Sequence, residues 1–227
     1  MKLNADLARR AAVDSSAIDW APSPLDGVER RMLERDGDEV ARATTIVRFA
    51  PDSYFSEHEH SGGEEFIVLA GTFSDQYGDF PAGTYLRNPV GSRHRPHSRD
   101  GCTIFVKLHW MHGDDQTFVR TDLGDTALWR PSGVDGVEMM ALHAFGEETV
   151  THYRLAPGAA IPERTLPGGE ELFVLDGSCN DINGGYGAGY WLRQPGGAVP
   201  TLVSEQGCRL YVKRGHLANP PALPLPV

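Results

Sequence analysis

Apolar residues fall in short runs separated by turn formers. Phe66-Ile67-Val68-Leu69-Ala70 is a continuous apolar stretch, closed by Gly62-Gly63 on one side and Gly71 on the other. In an extended segment Phe66, Val68 and Ala70 point to one face, and Ile67 and Leu69 to the opposite one. Such a run fits a strand covered on both sides, as in a barrel wall facing a second sheet. Thr103-Ile104-Phe105-Val106-Lys107-Leu108 is a second run, rich in strand formers. Between them, Tyr77-Gly78 and Pro81-Ala82-Gly83 are turn signals. The 26 glycines and 16 prolines are spread along the sequence and not gathered in one linker. Many short strands joined by tight turns require that punctuation, and long helices have no place in it. The pattern predicts an all-β protein.

The pattern occurs twice. Residues 48–108 lie over residues 154–214 without a gap. GGEEFIVLAG at 62–71 matches GGEELFVLDG at 168–177, AGTYLRNPVG at 82–91 matches AGYWLRQPGG at 188–197, and GCTIFVK at 101–107 matches GCRLYVK at 207–213. Upstream, Trp20 and the DGVE at 26–29 match Trp129 and the DGVE at 135–138, so the second copy lacks three residues between these markers and the main block. Each copy has the length of a small domain, too long for a solenoid repeat. The expected division is a first domain over 1–112, a polar linker over 113–128 and a second domain over 129–227. The Pro-rich end, 220–227, is expected to lie extended on a surface.

Charge and leader signals narrow the partners. Lys and Arg number 21 against 31 Asp and Glu, a formal charge of -10. A nucleic-acid partner is not expected, because phosphate binding wants a basic face. No run reaches the ~18 apolar residues of a membrane span. The opening MKLNADLARRAAV has no apolar stretch of the secretory kind, so the expected location is cytoplasmic, with no membrane partner. Cys102, Cys179 and Cys208 cannot all pair and show no CxxC spacing, which argues against a disulfide scaffold and a zinc knuckle alike.

The first copy carries a metal-type constellation. It reads His58-Glu59-His60-Ser61-Gly62-Gly63-Glu64, then Gly71, Pro81-Ala82-Gly83 and His94. His58 and His60 are two apart on a predicted strand and share a face. Glu64 has the same parity after a Gly-Gly turn, and His94 enters a later strand. Three neutral imidazoles and one carboxylate converging inside a barrel suit one divalent ion, with positions left open for water, dioxygen or a small ligand. An HxH pair alone is a weak signal; the full spacing is a strong one.

The second copy is an internal control. Arg164, Leu166 and Pro200 stand where His58, His60 and His94 stand, while Glu64 persists as Glu170. That copy is expected to hold no metal. A lone buried Glu170 needs a partner, and Arg164 has the parity to supply a cation in place of the ion. Removing Arg164 alone is then expected to cost roughly 3–5 kcal/mol.

This spacing resembles that of the cupin superfamily, small β-barrels of the jelly-roll type, and two copies resemble a bicupin, two tandem jelly-roll barrels. HEHSGGEEFIVLAGTFSDQYGDFPAGTYLRNPVGSRHRPHS followed by GCTIFVK resembles the cupin domain of the ChrR anti-sigma factor family, closely over about residues 20–110 and more loosely in the second copy. The resemblance implies that His58, His60, Glu64 and His94 are metal ligands. It implies zinc as the ion; the open positions suit iron as well, with manganese or nickel as further candidates. In that family a separate N-terminal helical domain with its own His/Cys zinc motif holds the sigma factor. The residues before Trp20 contain neither His nor Cys, so a sigma-factor partner is not carried over. Related cupins include metal-dependent dioxygenases that cleave C–C bonds beside ketones.

Two function classes follow: a sensor or binding module whose ion holds a small molecule or responds to oxidants, and a dioxygenase. The paired positions Arg87/Arg193, Glu65/Glu171 and Cys102/Cys208 occur in both copies, which favours structural roles. His97, His109 and His112 are expected at the surface. Dimerisation of the chain is left open.

Overall fold

The computed structural model of the chain describes residues 1–38 and 40–222. The structure is built from antiparallel strands, with two short 3-10 turns at Ser15–Ala17 and Thr126–Leu128. Among the described residues no helix is long and apolar enough to cross a membrane. The chain divides into two compact units, one formed by residues 1–5 and 18–124, the other by residues 6–17 and 125–220.

In the first unit the main sheet runs Lys2–Leu3, Val28–Gly37, Ala41–Phe49, Cys102–Leu108, Glu64–Asp75, Thr84–Asn88, Val119–Asp122. The apolar run seen in the sequence is the first half of Glu64–Asp75 and pairs with Cys102–Leu108. Its second half leaves that sheet and pairs instead with Gly78–Pro81 and His97–Ser98. The strand turns between the two at Gly71, which has φ 71°. A Cβ there would strike the Gly101 carbonyl, so only glycine fits. One long strand serving two sheets encloses Phe66, Val68, Phe73, Leu86, Cys102, Ile104 and Val106 as the core. That is the jelly-roll arrangement expected from the sequence.

The second unit repeats the plan over Arg130–Pro131, Val137–Phe145, Glu148–Leu155, Cys208–Arg214, Glu170–Asp181, Tyr190–Gln194 and Ala11–Asp14. Gly177, also at φ 71°, makes the same turn. Irregularities are duplicated as well. The ladder skips Leu33 in one unit and Leu142 in the other, and skips Leu69 and Leu175 where the long strand meets its neighbour. The three residues missing from the second copy lie at one hairpin tip, the turn after Gly37 in one unit and Gly146-Glu147 in the other.

The domain limits read from the sequence need correction. Ala11–Asp14, placed in the first domain, pairs with Tyr190–Gln194 of the second unit. Val119–Asp122, placed in the linker, pairs with Thr84–Asn88 of the first unit. The two strands occupy matching register positions, since Ala11 faces Arg193 and Val119 faces Arg87. Ala11–Asp14, early in the first repeat, therefore completes the second barrel, and Val119–Asp122, at the start of the second repeat, completes the first. Of the Pro-rich end, residues 223–227 lie outside the described residues.

Candidate metal centre

The site is assembled from three neighbouring segments of the first unit. His58–Glu59 and Arg93–His94 form a two-stranded ladder in which His94 faces His58 directly. His60 follows, its backbone held on both sides: its N–H donates to the Ser92 carbonyl and its carbonyl accepts from Gly91, each at 2.9 Å. The Ser61-Gly62-Gly63 turn then returns the chain to Glu64, the first residue of the long strand. Added Cβ atoms at Gly62 and Gly63 would collide with His109 and Met111, so the turn depends on both glycines.

The three rings meet edge to face, with centroids 5.0 Å apart for His58 and His60, 4.9 Å for His58 and His94, and 4.6 Å for His60 and His94. One nitrogen from each lies within 4.8 Å of the others. Glu64 Oε2 is 3.4 Å from His60 Nε2 and 3.7 Å from His94 Nε2. His60, His94 and Glu64 are buried and His58 is exposed, so the cluster is open on the His58 side.

Outer contacts set which nitrogen is available. His94 Nδ1 lies 3.3 Å from Asp75 Oδ2, and His58 Nδ1 lies 3.3 Å from the Ser56 carbonyl. Both partners only accept, so Nδ1 carries the proton in each ring and Nε2 presents a lone pair. Asn88 donates to Glu64 Oε2 at 3.0 Å, and Arg120 donates to Asn88 Oδ1 at 2.7 Å. Burial pushes the His60 pKa down, against the pull of Glu64. Burial also acts to depress His94, but the Asp75 hydrogen bond and the Glu64 charge outweigh it and raise that ring. Burial acts to raise Glu64, yet His60, His94 and Asn88 hold it below the usual carboxylate range.

The donor set fits a divalent ion. Three imidazoles and one ionised carboxylate is a borderline-to-hard set of one negative charge. His60 Nε2 is buried and makes no hydrogen bond, an arrangement that costs free energy unless a cation accepts its lone pair. The structure thus brings together all four side chains selected from the sequence. It adds three that spacing did not reveal: Asp75, Asn88 and Arg120. Asn88 and Arg120 come from later strands by long-range register, while Asp75 ends the long strand that Glu64 begins and recurs as Asp181 in the second copy.

Other expectations resolve case by case. His97 belongs to a short strand and stacks on Tyr54 at 5.5 Å. His109 is half-buried against Gly62, while His112 is exposed. Arg87 is buried and bonds Glu65 and Asp115, each at 2.6 Å. Arg193, equally buried, donates instead to the backbone carbonyls of Asp6 and Arg9.

At the matching place in the second unit, Arg164 bonds Glu170 Oε1 at 2.5 Å. A second guanidinium, Arg214, bonds Glu170 Oε2 at 2.6 Å and the Tyr153 hydroxyl at 2.9 Å. The sequence reading missed Arg214, because Leu108 occupies its position in the first copy. Asp181, deprived of a histidine partner by Pro200, accepts from Tyr186 at 2.6 Å.

A long strand shared by two sheets defines a cupin barrel, here built twice, with the HxHx3E segment kept only in the first, so the chain is a bicupin. The chain belongs to the ChrR Cupin-like domain family, whose model matches residues 8–112 and again residues 117–218. No curated protein is significantly similar to it in sequence. Among solved structures, a candidate dioxygenase from Nostoc punctiforme superposes with TM-score 0.74 at 13% identity, over 97% of this chain and 87% of that one. YlbA from E. coli gives 0.68 at 15% identity, over 92% of each chain. The pirin YhhW from Escherichia coli, solved with nickel(II), gives 0.67 at 11% identity, over 94% of this chain and all of that one. At these identities the likeness is one of fold.

Proposed function

We propose that the first barrel is a metal-dependent module for a small ligand, with one divalent ion held by His58, His60, Glu64 and His94. The observation that carries this reading is the convergence of three imidazoles on a buried carboxylate, with His60 Nε2 left without a hydrogen bond. When bound, the ion supplies Lewis acidity and an open position for an oxygen donor. The surrounding side chains position ligands: Asp75 holds His94, Asn88 holds Glu64, and Arg120 holds Asn88. These contacts leave Asp75 and Asn88 engaged as supports and do not present them as acid or base toward the His58 opening. That favours ligand or oxidant sensing over hydrolysis.

A dioxygenase acting on ketone-type molecules is the second reading. It rests on the donor set, which suits iron(II), and on the exposed His58 side, through which a substrate can enter. Elemental analysis of wild type beside His60→Ala, at several metal loadings, tests the centre. One ion per chain is expected in wild type and almost none in the variant. Two ions per chain would contradict a metal-free second barrel. Iron with substrate-dependent oxygen uptake selects the dioxygenase, and zinc without uptake selects the sensor.

A further inference from the structure

Cys179 and Cys208 are both buried in the core of the second unit and belong to one apolar cluster. Cys208 faces Gly177 across the ladder, two residues before Cys179. The crossing is tight at this point: the Ser178 N–H reaches the Gly207 carbonyl at 3.4 Å, and the Ser204 hydroxyl donates to the Ser178 carbonyl at 2.6 Å. On that register Cys179 and Cys208 point to the same face of the barrel wall, toward the core they share. The first unit has no such pair, because Phe73 occupies the position matching Cys179 and leaves Cys102 alone.

A groove of about 870 Å³ reaches this crossing, lined by Gly136, Gly177, Gly207 and Cys208, with Arg154 and Arg209 at its sides. The smaller groove of the first unit, about 530 Å³, is lined by residues 22–29 and 48–51 and does not touch Cys102.

We propose that Cys179 and Cys208 are a peroxide-oxidisable pair that closes to a disulfide within the second barrel, independently of the metal centre. Cys208 acts first. The neighbouring Cys179 thiol, helped by Ser204 and opposed by burial, lowers its pKa. Cys208, together with burial, raises that of Cys179. The Cys208 sulfur gives an electron pair to one peroxide oxygen; an S–O bond forms, the O–O bond breaks, and the departing hydroxide takes the thiol proton to leave as water. The Cys179 sulfur then attacks Cys208; an S–S bond forms, the S–O bond breaks, and the second oxygen leaves as water with the Cys179 proton. Two thiols lose two electrons and one peroxide becomes two waters. Cys102 is the control, because burial pushes its thiol up to about 11, which disfavours the nucleophilic thiolate.

The test treats the folded full-length protein with hydrogen peroxide, alkylates remaining thiols after denaturation, and maps the peptides by mass spectrometry. The expected product is a peptide joining Cys179 to Cys208, with Cys102 consumed roughly tenfold more slowly. Cys179→Ser is expected to leave a dimedone-reactive sulfenic acid on Cys208, and Cys208→Ser to leave Cys179 as a thiol. The same bridge should form in His60→Ala, which separates this result from the fate of the metal reading. Recovery of all three cysteines alkylated, or equal oxidation of Cys102, overturns the proposal.

Discussion

Glu170 shows how a buried carboxylate is balanced by guanidinium groups where its counterpart Glu64 meets imidazoles. Its side chain is 1% exposed, and each oxygen has its own guanidinium. Arg164 therefore does not carry the burden alone, and its removal leaves Arg214 in place. Arg164→Ala is expected to cost about 1–2 kcal/mol, and the Arg164→Ala/Arg214→Ala double variant about 3–5 kcal/mol, because only the double variant strands a buried charge. Denaturant unfolding checks the difference, and equal losses in the two proteins would refute shared pairing. His152 offers a second case. It is 2% exposed, lies 4.8 Å from the Trp129 ring, and has both ring nitrogens without a hydrogen bond. Burial, with Arg209 and Arg154 nearby, pushes its pKa down from 6.5 to about 4. Between those values the unfolded chain takes up a proton that the folded barrel refuses. Stability should fall as pH drops through that window, by up to about 3 kcal/mol. His152→Ile, the residue at the matching position 46, should remove that slope in urea titrations at pH 7 and pH 4.5.

At the scale of elements, the strand that completes each barrel is the informative one. Val119–Asp122 runs beside Thr84–Asn88 and delivers Arg120 to Asn88, which in turn holds Glu64. Proline removes a ladder donor, and successive residues of a strand face opposite ways along the ladder. An Arg120→Pro/Thr121→Pro variant should therefore lose hydrogen-exchange protection over 84–88 and weaken metal retention. The matching Ala12→Pro/Val13→Pro variant should lose protection over 190–194 and leave the histidine cluster intact. The opposite assignment of damage would mean that the strands pair within their own repeats. This exchange was not legible in the sequence, because aligned repeats look the same whichever barrel their first strand joins. The four candidate ligands were legible, since three of them sit within seven residues at spacings fixed by strand parity and one turn. Asn88 and Arg120 were not, because register between distant strands places them, and Asp75 was not, because it reaches His94 only through the bend of the long strand at Gly71.

Over the whole molecule, the duplication read from the sequence is reproduced down to its skipped leucines and its bent long strands. Only the chemistry has diverged, with imidazoles kept in one barrel and guanidinium groups in the other. Such divergence would ordinarily make the altered copy dispensable. Here the strand that completes the histidine-bearing barrel, Val119–Asp122, follows the apparent repeat boundary. A chain ending at 112 would leave Thr84–Asn88 without its neighbour, whereas one ending at 124 would keep it. The second repeat thus supplies a wall strand to the other barrel besides folding its own.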